Sequence, residues 1–301
     1  MPQVFNGKLL ESPMVDGIYE GYDEETYHAD NAICNSDLKH AFEGKEINMA
    51  RFWVHKHKLC KPVDSSGFNV GSVIHKLVLE SEGVSVEDEL ARIAVNKGKR
   101  NFAKKDDKAW RDEQLESGRI ILSSYEYNAA LKSTDNILLN PTAKELLKNF
   151  KREVTIWKRC FETGLQRRCR VDIVSGDNGR ILADLKSTAD FAGPGAFLRT
   201  LIKYKYHQQA GYYLNVGSDA GLGAREFYFI VFEKDPPFSV AVHRVGEPTI
   251  MHSQAMIAKA MRRIKESNDI QIWKGYSPRA YELNLPMKWL SELDTEEFWN
   301  D

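Results

Sequence analysis

The apolar positions change their period midway along the chain. Val70, Val73, Ile74, Leu77 and Val78 recur at intervals of three and four, which predicts a buried helix. Gly71 would let a neighbour approach near its start. Upstream, Asn35-Ser36-Asp37 offers an N-cap for a helix from Asp37 to about His57, and Asp64-Ser65-Ser66-Gly67 reads as a turn. Residues 91–120 are charged and lack a sustained apolar period, so they predict a loop and then a solvated helix. Ser123 and Ser124, followed by Glu126, resemble a capping box that opens a helix to about Phe150. From Glu153 the period becomes two. EVTIWKRCF, RRCRVDIVS and RILADLKST predict three strands, joined through Glu162-Thr163-Gly164 and through Gly176-Asp177-Asn178-Gly179. A helix from about Gly195 to Asn215 follows. Two strands come next, REFYFIVFEK and FSVAVHRV, parted by Asp235-Pro236-Pro237, and then a helix from Pro248 to about Ser267.

This order predicts an α/β (α+β) fold, a mixed central sheet flanked by helices. One domain is expected over residues 1–301. It has a mainly helical part at 1–150, a sheet core at 151–270 and a covering segment at 271–301. Residues 1–30 read as irregular, anchored by Tyr19, Tyr22 and Tyr27. No internal repeat is visible.

Composition narrows the class. Apolar residues at 42% and charged residues at 28% give ample core for a folded domain. A net charge of −1 excludes a globally basic nucleic-acid coat but not a local basic groove. No run approaches the ~18 apolar residues of a membrane span. The first residues lack a basic start and an apolar stretch, so no signal peptide and a cytoplasmic location are expected. Cys34, Cys60, Cys160 and Cys169 form no C-x-x-C pair and read as reduced thiols that fill core space. An iron–sulfur site would want tighter spacing. No phosphate-binding glycine loop is present.

The candidate chemistry lies on two adjacent strands. Asp172 in RVDIV and Asp184 with Lys186 in ADLKST are embedded in apolar residues, and a buried unpaired carboxylate needs a metal or a cation. Alternation puts Asp184 and Lys186 on one face, which Asp172 can reach from the neighbouring strand. Two carboxylates, with the Leu185 carbonyl, are hard ligands for Mg²⁺ or Mn²⁺. Lys186 would position the attacking water or stabilise developing charge. The plain alternative is a buried Asp–Lys salt bridge. Glu153, on the preceding strand, is either a third carboxylate or a surface charge.

Asp172…Asp184-Leu185-Lys186 resembles the PD-(D/E)XK nuclease signature. REVTIWKR, RCRVDIV, ADLKSTAD and YKYHQQAGYY resemble its RecE-like (exonuclease VIII) branch, as do VGSVIHKLVLE, NSDLKHA and LPMKWL. The resemblance covers about residues 30 to 290. It departs at the proline of the signature, where Val171 stands before Asp172. It implies a Mg²⁺-dependent exonuclease on double-stranded DNA ends, with Mn²⁺ substituting. Such an enzyme degrades the 5′ strand and leaves 3′ single strands for a RecT-like annealing protein. A ring-shaped homo-oligomer is implied as well.

Residue by residue, the resemblance makes Asp172 and Asp184 metal ligands and Lys186 the catalytic lysine. Glu153 would aid a second metal or its water. His75 becomes a metal ligand or phosphate contact, where its own surroundings also allow a core histidine. Gln209 and Tyr213 match the Q-x-x-x-Y element beside the DNA backbone. Gln208 and Tyr212 share that spacing, so the register stays open between them.

Other DNA contacts are read from charge. Lys97, Lys99, Arg100, Lys104 and Lys105 could track phosphates and Phe102 could stack on a base, unless this is only a solvated loop. Arg168 and Arg170 fall on the face of Asp172 and could clamp a strand end. Two other functions compete. One is a restriction or repair endonuclease of the same fold, which would need added base readout. The other is a non-catalytic DNA-binding protein, against which the intact Asp172, Asp184 and Lys186 argue.

Overall fold

The computed structural model describes residues 4–43, 46–59, 69–79, 93–96, 105–277, 279–280 and 282–284. Its centre is a six-stranded mixed sheet. The strands, labelled here in chain order, are β1 (Gly17–Tyr19), β2 (Lys151–Arg159), β3 (Gln166–Ser175), β4 (Ile181–Thr188), β5 (Glu226–Glu233) and β6 (Val240–Arg244). Spatial order follows chain order from β1 to β6. Within this sheet only β4 and β5 pair in parallel, and the long connection between them carries two helices.

Seven helices matter for the site. They are α1 (Asn35–Ala41), α2 (Met49–Lys56), α3 (Asn69–Leu79), α4 (Ser124–Leu139), α5 (Pro194–Lys203), α6 (Tyr206–Asp219) and α7 (Glu247–Ile270). They cover both faces of the sheet. On one face α6 and α7 pack with Val154, Val171, Phe227 and Phe229. On the other, Val73, Ile74, Leu77 and Val78 of α3 join Ile173, Ala183, Leu185 and Ile230. Strands buried on both faces explain why β2 runs four buried residues in a row, Val154 to Trp157, where alternation was expected.

Several predicted elements are divided. The helix expected from Asp37 to His57 is two, separated by a short pairing of Phe42–Glu43 with Glu46–Ile47. Its N-cap is Cys34, whose N–H donates to Asp37 Oδ2, and Asn48 caps the second piece. The Ser123–Glu126 capping box forms as read, but its helix stops at Leu139 because Asn140-Pro141 starts another, Pro141–Leu146. The helix expected over 195–215 breaks at Lys205, which is left-handed at φ 56°. There Lys205 Nζ donates to the carbonyls of Lys39 and Phe42, both at 2.7 Å. A tertiary contact thus fixes a break that no local signal marks. The region read as loop and solvated helix also contains a strand, Ile93–Asn96, parallel to Ile120–Ser123. The first residues are not wholly irregular: Val4–Asn6 pairs with Ile272–Lys274, and β1 forms the sheet edge.

Gly71 faces Ser187, whose Oγ would lie 3.6 Å from an added Cβ, an ordinary contact. The tight approach is instead at Gly211, where α6 crosses α7. Cys34, Cys160 and Cys169 are free thiols. Cys60, Trp289, Trp299 and the LPMKWL stretch lie outside the described residues.

Candidate active site

Two central strands stop pairing at the carboxylates. β3 and β4 are hydrogen-bonded from Ser175↔Ile181 to Ile173↔Ala183, and the same register places Asp172 opposite Asp184. On the other side, Arg152↔Ile173 and Val154↔Val171 place Asp172 opposite Glu153. Glu153 has φ 46°, a left-handed conformation that costs energy for a residue with a Cβ. The two-residue period slips here too: Val171 belongs to one core and Ile173 to the other. A sequence reading that assumed steady alternation could not place Glu153, and this strain is the reason.

The Asp172 carboxylate spans the gap. Its Oδ2 accepts the Leu185 N–H at 3.0 Å and lies 3.1 Å from His75 Nε2. The Leu185 carbonyl leaves the same strand edge as its N–H and so faces the same gap. His75 arrives from α3, with Nδ1 3.8 Å from Glu153 Oε1. Asp184 is 2% exposed. Its Oδ1 lies 2.5 Å from Lys186 Nζ and accepts no well-aligned hydrogen bond, while Gln209 Nε2 donates to its Oδ2. Lys186 Nζ lies 4.9 Å from the centroid of the Tyr206 ring. In the sequence Tyr206 only marks the register of the Q-x-x-x-Y element and carries no sign of a contact with Lys186. It opens α6 directly after the break at Lys205, and only the fold brings it to the lysine.

The charges respond to one another. Burial, and then the Asp172 charge, push Asp184 up to about 6, against the pull of Lys186. Burial also opposes ionisation of Asp172, but His75 and Lys186 outweigh it and hold that carboxyl below the usual range. Burial disfavours the His75 imidazolium, yet Asp172, with Asp184 and Glu153, overcomes this and raises it to about 9. His75 and Lys186 are therefore the internal counter-ions of two buried carboxylates.

The donor set suits a hard divalent cation. Asp172, Asp184 and Glu153 offer carboxylate oxygens and the Leu185 carbonyl adds another, all of them hard donors. Among the described residues no three such side chains are already gathered as a cage. The carboxylates are turned onto His75, Lys186 and the Leu185 N–H instead.

The two registers on α6 separate cleanly. Gln209 reaches Asp184, and Tyr213 lines a 680 Å³ cavity together with His75, Glu153 and Asp172. Tyr212 is turned away, its hydroxyl donating to the Ile33 carbonyl at 2.6 Å. The arginines are on the expected face but are engaged. Arg168 is 5% exposed, donates to the Asp30 carbonyl and pairs with the Asp30 carboxylate. Arg170 donates to the Tyr22 carbonyl at 2.7 Å and to Glu153. Both brace the site; the expectation of free phosphate clamps is corrected by these bonds. Lys97, Lys99, Arg100, Phe102 and Lys104 lie outside the described residues. Lys105 opens the helix Lys105–Glu116.

A family model described as "PDDEXK-like domain of unknown function (DUF3799)" matches residues 36–280. The chain belongs to this family. The match takes in α1 from its second residue, the His75 helix, strands β2 to β6 with both aspartates and Lys186, and α7. A solved structure from Eubacterium rectale, provisionally described as an exonuclease, is 13% identical over 90% of this chain and 96% of its own, at a TM-score of 0.54. It shares the fold. A second solved chain, SSO0001, is 14% identical over 67% of this chain and 88% of its own, at a TM-score of 0.27. Among proteins with curated descriptions, none matches. The mixed sheet flanked by helices is thus a PDDEXK-like nuclease fold. No helix among the described residues is long and apolar enough to cross a membrane.

Proposed function

We propose that the protein is a divalent-metal-dependent exodeoxyribonuclease that acts on double-stranded DNA ends. The observation that carries the reading is the convergence of Asp172, Asp184 and Lys186 where β3 and β4 part. Asp172 and Asp184, with the Leu185 carbonyl, would hold Mg²⁺ or Mn²⁺, and Glu153 and His75 stand next to them. A bound ion of this kind polarises a phosphoryl oxygen and makes its water a better nucleophile.

The chain's own groups do the rest. Gln209 fixes Asp184 by donating to Oδ2. Lys186 is one-fifth exposed beside the carboxylates, so its ammonium can meet charge developing on a phosphate. The Tyr206 face holds that ammonium in place when Asp184 turns to other partners.

Attack on the 5′ strand, a ring-shaped oligomer, a single-strand annealing partner and a cytoplasmic location belong to the same proposal. The support for the first three is the resemblance of the stretch from Glu153 to Tyr213 to the RecE-like branch. Linear duplexes labelled at either 5′ or 3′ ends, and a closed circular duplex, would be incubated with Mg²⁺ or with EDTA. Release of nucleotides from linear DNA alone, in Mg²⁺ alone, is expected. Cutting of the circle would make the protein an endonuclease, and inertness on every substrate would sink the nuclease reading.

A further inference from the structure

Two lysine ammoniums, Lys186 and Lys39, lie over the Tyr206 ring, and a third lysine, Lys205, precedes that residue in the chain. Lys186 sits on Asp184. Lys205 is spent on the carbonyls of Lys39 and Phe42, which pins the end of α1 to the start of α6. Lys39 remains. Its ammonium lies 5.3 Å from the Tyr206 centroid, and among the described residues it has no carboxylate, carbonyl or hydroxyl partner.

The mount under Lys39 is rigid. The carboxylate of Asp37 accepts the Cys34 N–H and the Lys56 ammonium, both at 2.9 Å, which ties the first turn of α1 to α2. Lys205 ties the last turn. A half-buried ammonium held this firmly without a counter-ion is costly, and an aromatic face compensates only in part. Burial and the neighbouring Lys186 charge already push Lys39 down to about 8. Asp184 is already paired with Lys186, so Lys39 brings a second positive charge to the carboxylates with no carboxylate paired to it among the described residues. The missing partner is an anion brought by the substrate.

We propose that Lys39 holds a backbone phosphate of the DNA strand bound at the Asp172–Asp184–Lys186 site, reaching it from α1. This rests on the nuclease reading. It assigns Lys39 to substrate binding, with the chemical step left to Lys186.

The test is binding of a linear duplex by fluorescence anisotropy across a salt series, with Ca²⁺ in place of Mg²⁺, alongside single-turnover cleavage in Mg²⁺. Lys39→Ala should weaken binding about tenfold and flatten the slope of log K against log salt by about one phosphate contact. The single-turnover rate at saturating DNA should stay within about threefold. Lys39→Arg should keep the wild-type slope. A structural lysine would lower the melting temperature and leave the salt slope alone, and that result overturns the proposal. So does a lost cleavage rate at unchanged affinity. If the wild-type protein binds and cuts DNA and Lys39→Ala does so equally well, only this proposal falls. If the wild-type protein binds no duplex, it falls together with the nuclease reading.

Discussion

Asp172 accepts the Leu185 N–H at 3.0 Å, a side chain standing in for the backbone partner that β4 loses where β3 peels away. The bond does two things at once. It satisfies a strand N–H that would otherwise be orphaned at the centre of a sheet. It also fixes Asp172 opposite Asp184 with a gap between them, and an interstrand gap lined by two carboxylates is a place for a cation.

Asp184→Asn should abolish metal-dependent cleavage, by at least about a hundredfold, and remove the rise in melting temperature that Mg²⁺ gives the wild-type protein. The pH dependence of stability should change as well. The folded value of Asp184, about 6, is above its ordinary 3.8. Its ionisation therefore costs stability as pH rises from about 3.8 through 6. Relative to wild type, the metal-free variant should gain stability from pH 5 to pH 7, read by thermal melts. A Mg²⁺ shift that survives the substitution would remove Asp184 from the ligand set.

Lys186→Ala should slow the chemical step far more than it weakens binding. Lys186 is already paired with Asp184, so it adds little to duplex affinity, while a cation placed at developing charge is worth about 3–4 kcal/mol. Single-turnover rates should fall by roughly two to three orders of magnitude, with duplex affinity within about threefold. A large loss of affinity at an unchanged rate would assign Lys186 to binding.

Gly211→Ala tests the mount of Gln209. An added Cβ would come within 2.7 Å of Ser253 Cβ and 3.3 Å of the Gln254 nitrogen, and neither can move without shifting α6 from α7. Overpacking of this kind costs about 1–3 kcal/mol, partly offset by the better helix propensity of alanine. The melting temperature should fall by several degrees. A variant as stable as wild type would show that the two helices are not locked at this crossing.

The sheet core and the central triad were legible because their signals are local: an alternating apolar pattern, tight turns, and acids lodged among apolar strand residues. The breaks at Phe42, Asn140 and Lys205 were less so. Asn140-Pro141 carried a readable stop. Lys205 did not, since its left-handed backbone is held by carbonyls of α1, more than 160 residues earlier. Arg168 and Arg170 show the same limit from the other side. Alternation placed them on the correct face, but only the fold reveals that Asp30, Tyr22 and Glu153 already occupy them. Lys39 and Tyr206 lie in stretches that resemble the RecE-like branch, but nothing local shows that they meet beside Lys186 in space.

His75 decides how the site exchanges a proton for a metal. Its pKa, about 9, is above the ordinary 6.5, so at pH 7 it is the charged partner of Asp172. That pairing adds stability which is complete below about 6.5 and is lost as pH rises through 9. Coordination runs the other way, because only neutral imidazole can bind a metal. If His75 becomes a ligand, its proton must leave first, and each pH unit below 9 weakens apparent affinity about tenfold. Asp184, with its value near 6, is already ionised across this window. Mg²⁺ affinity, read by calorimetry or by thermal shift, should therefore rise by up to about a hundredfold from pH 7 to pH 9. His75→Asn should flatten that dependence and weaken binding at pH 9. A flat wild-type profile would instead leave the imidazolium in place on Asp172 while the metal binds, and His75 would then be a counter-ion that positions the carboxylate without touching the ion.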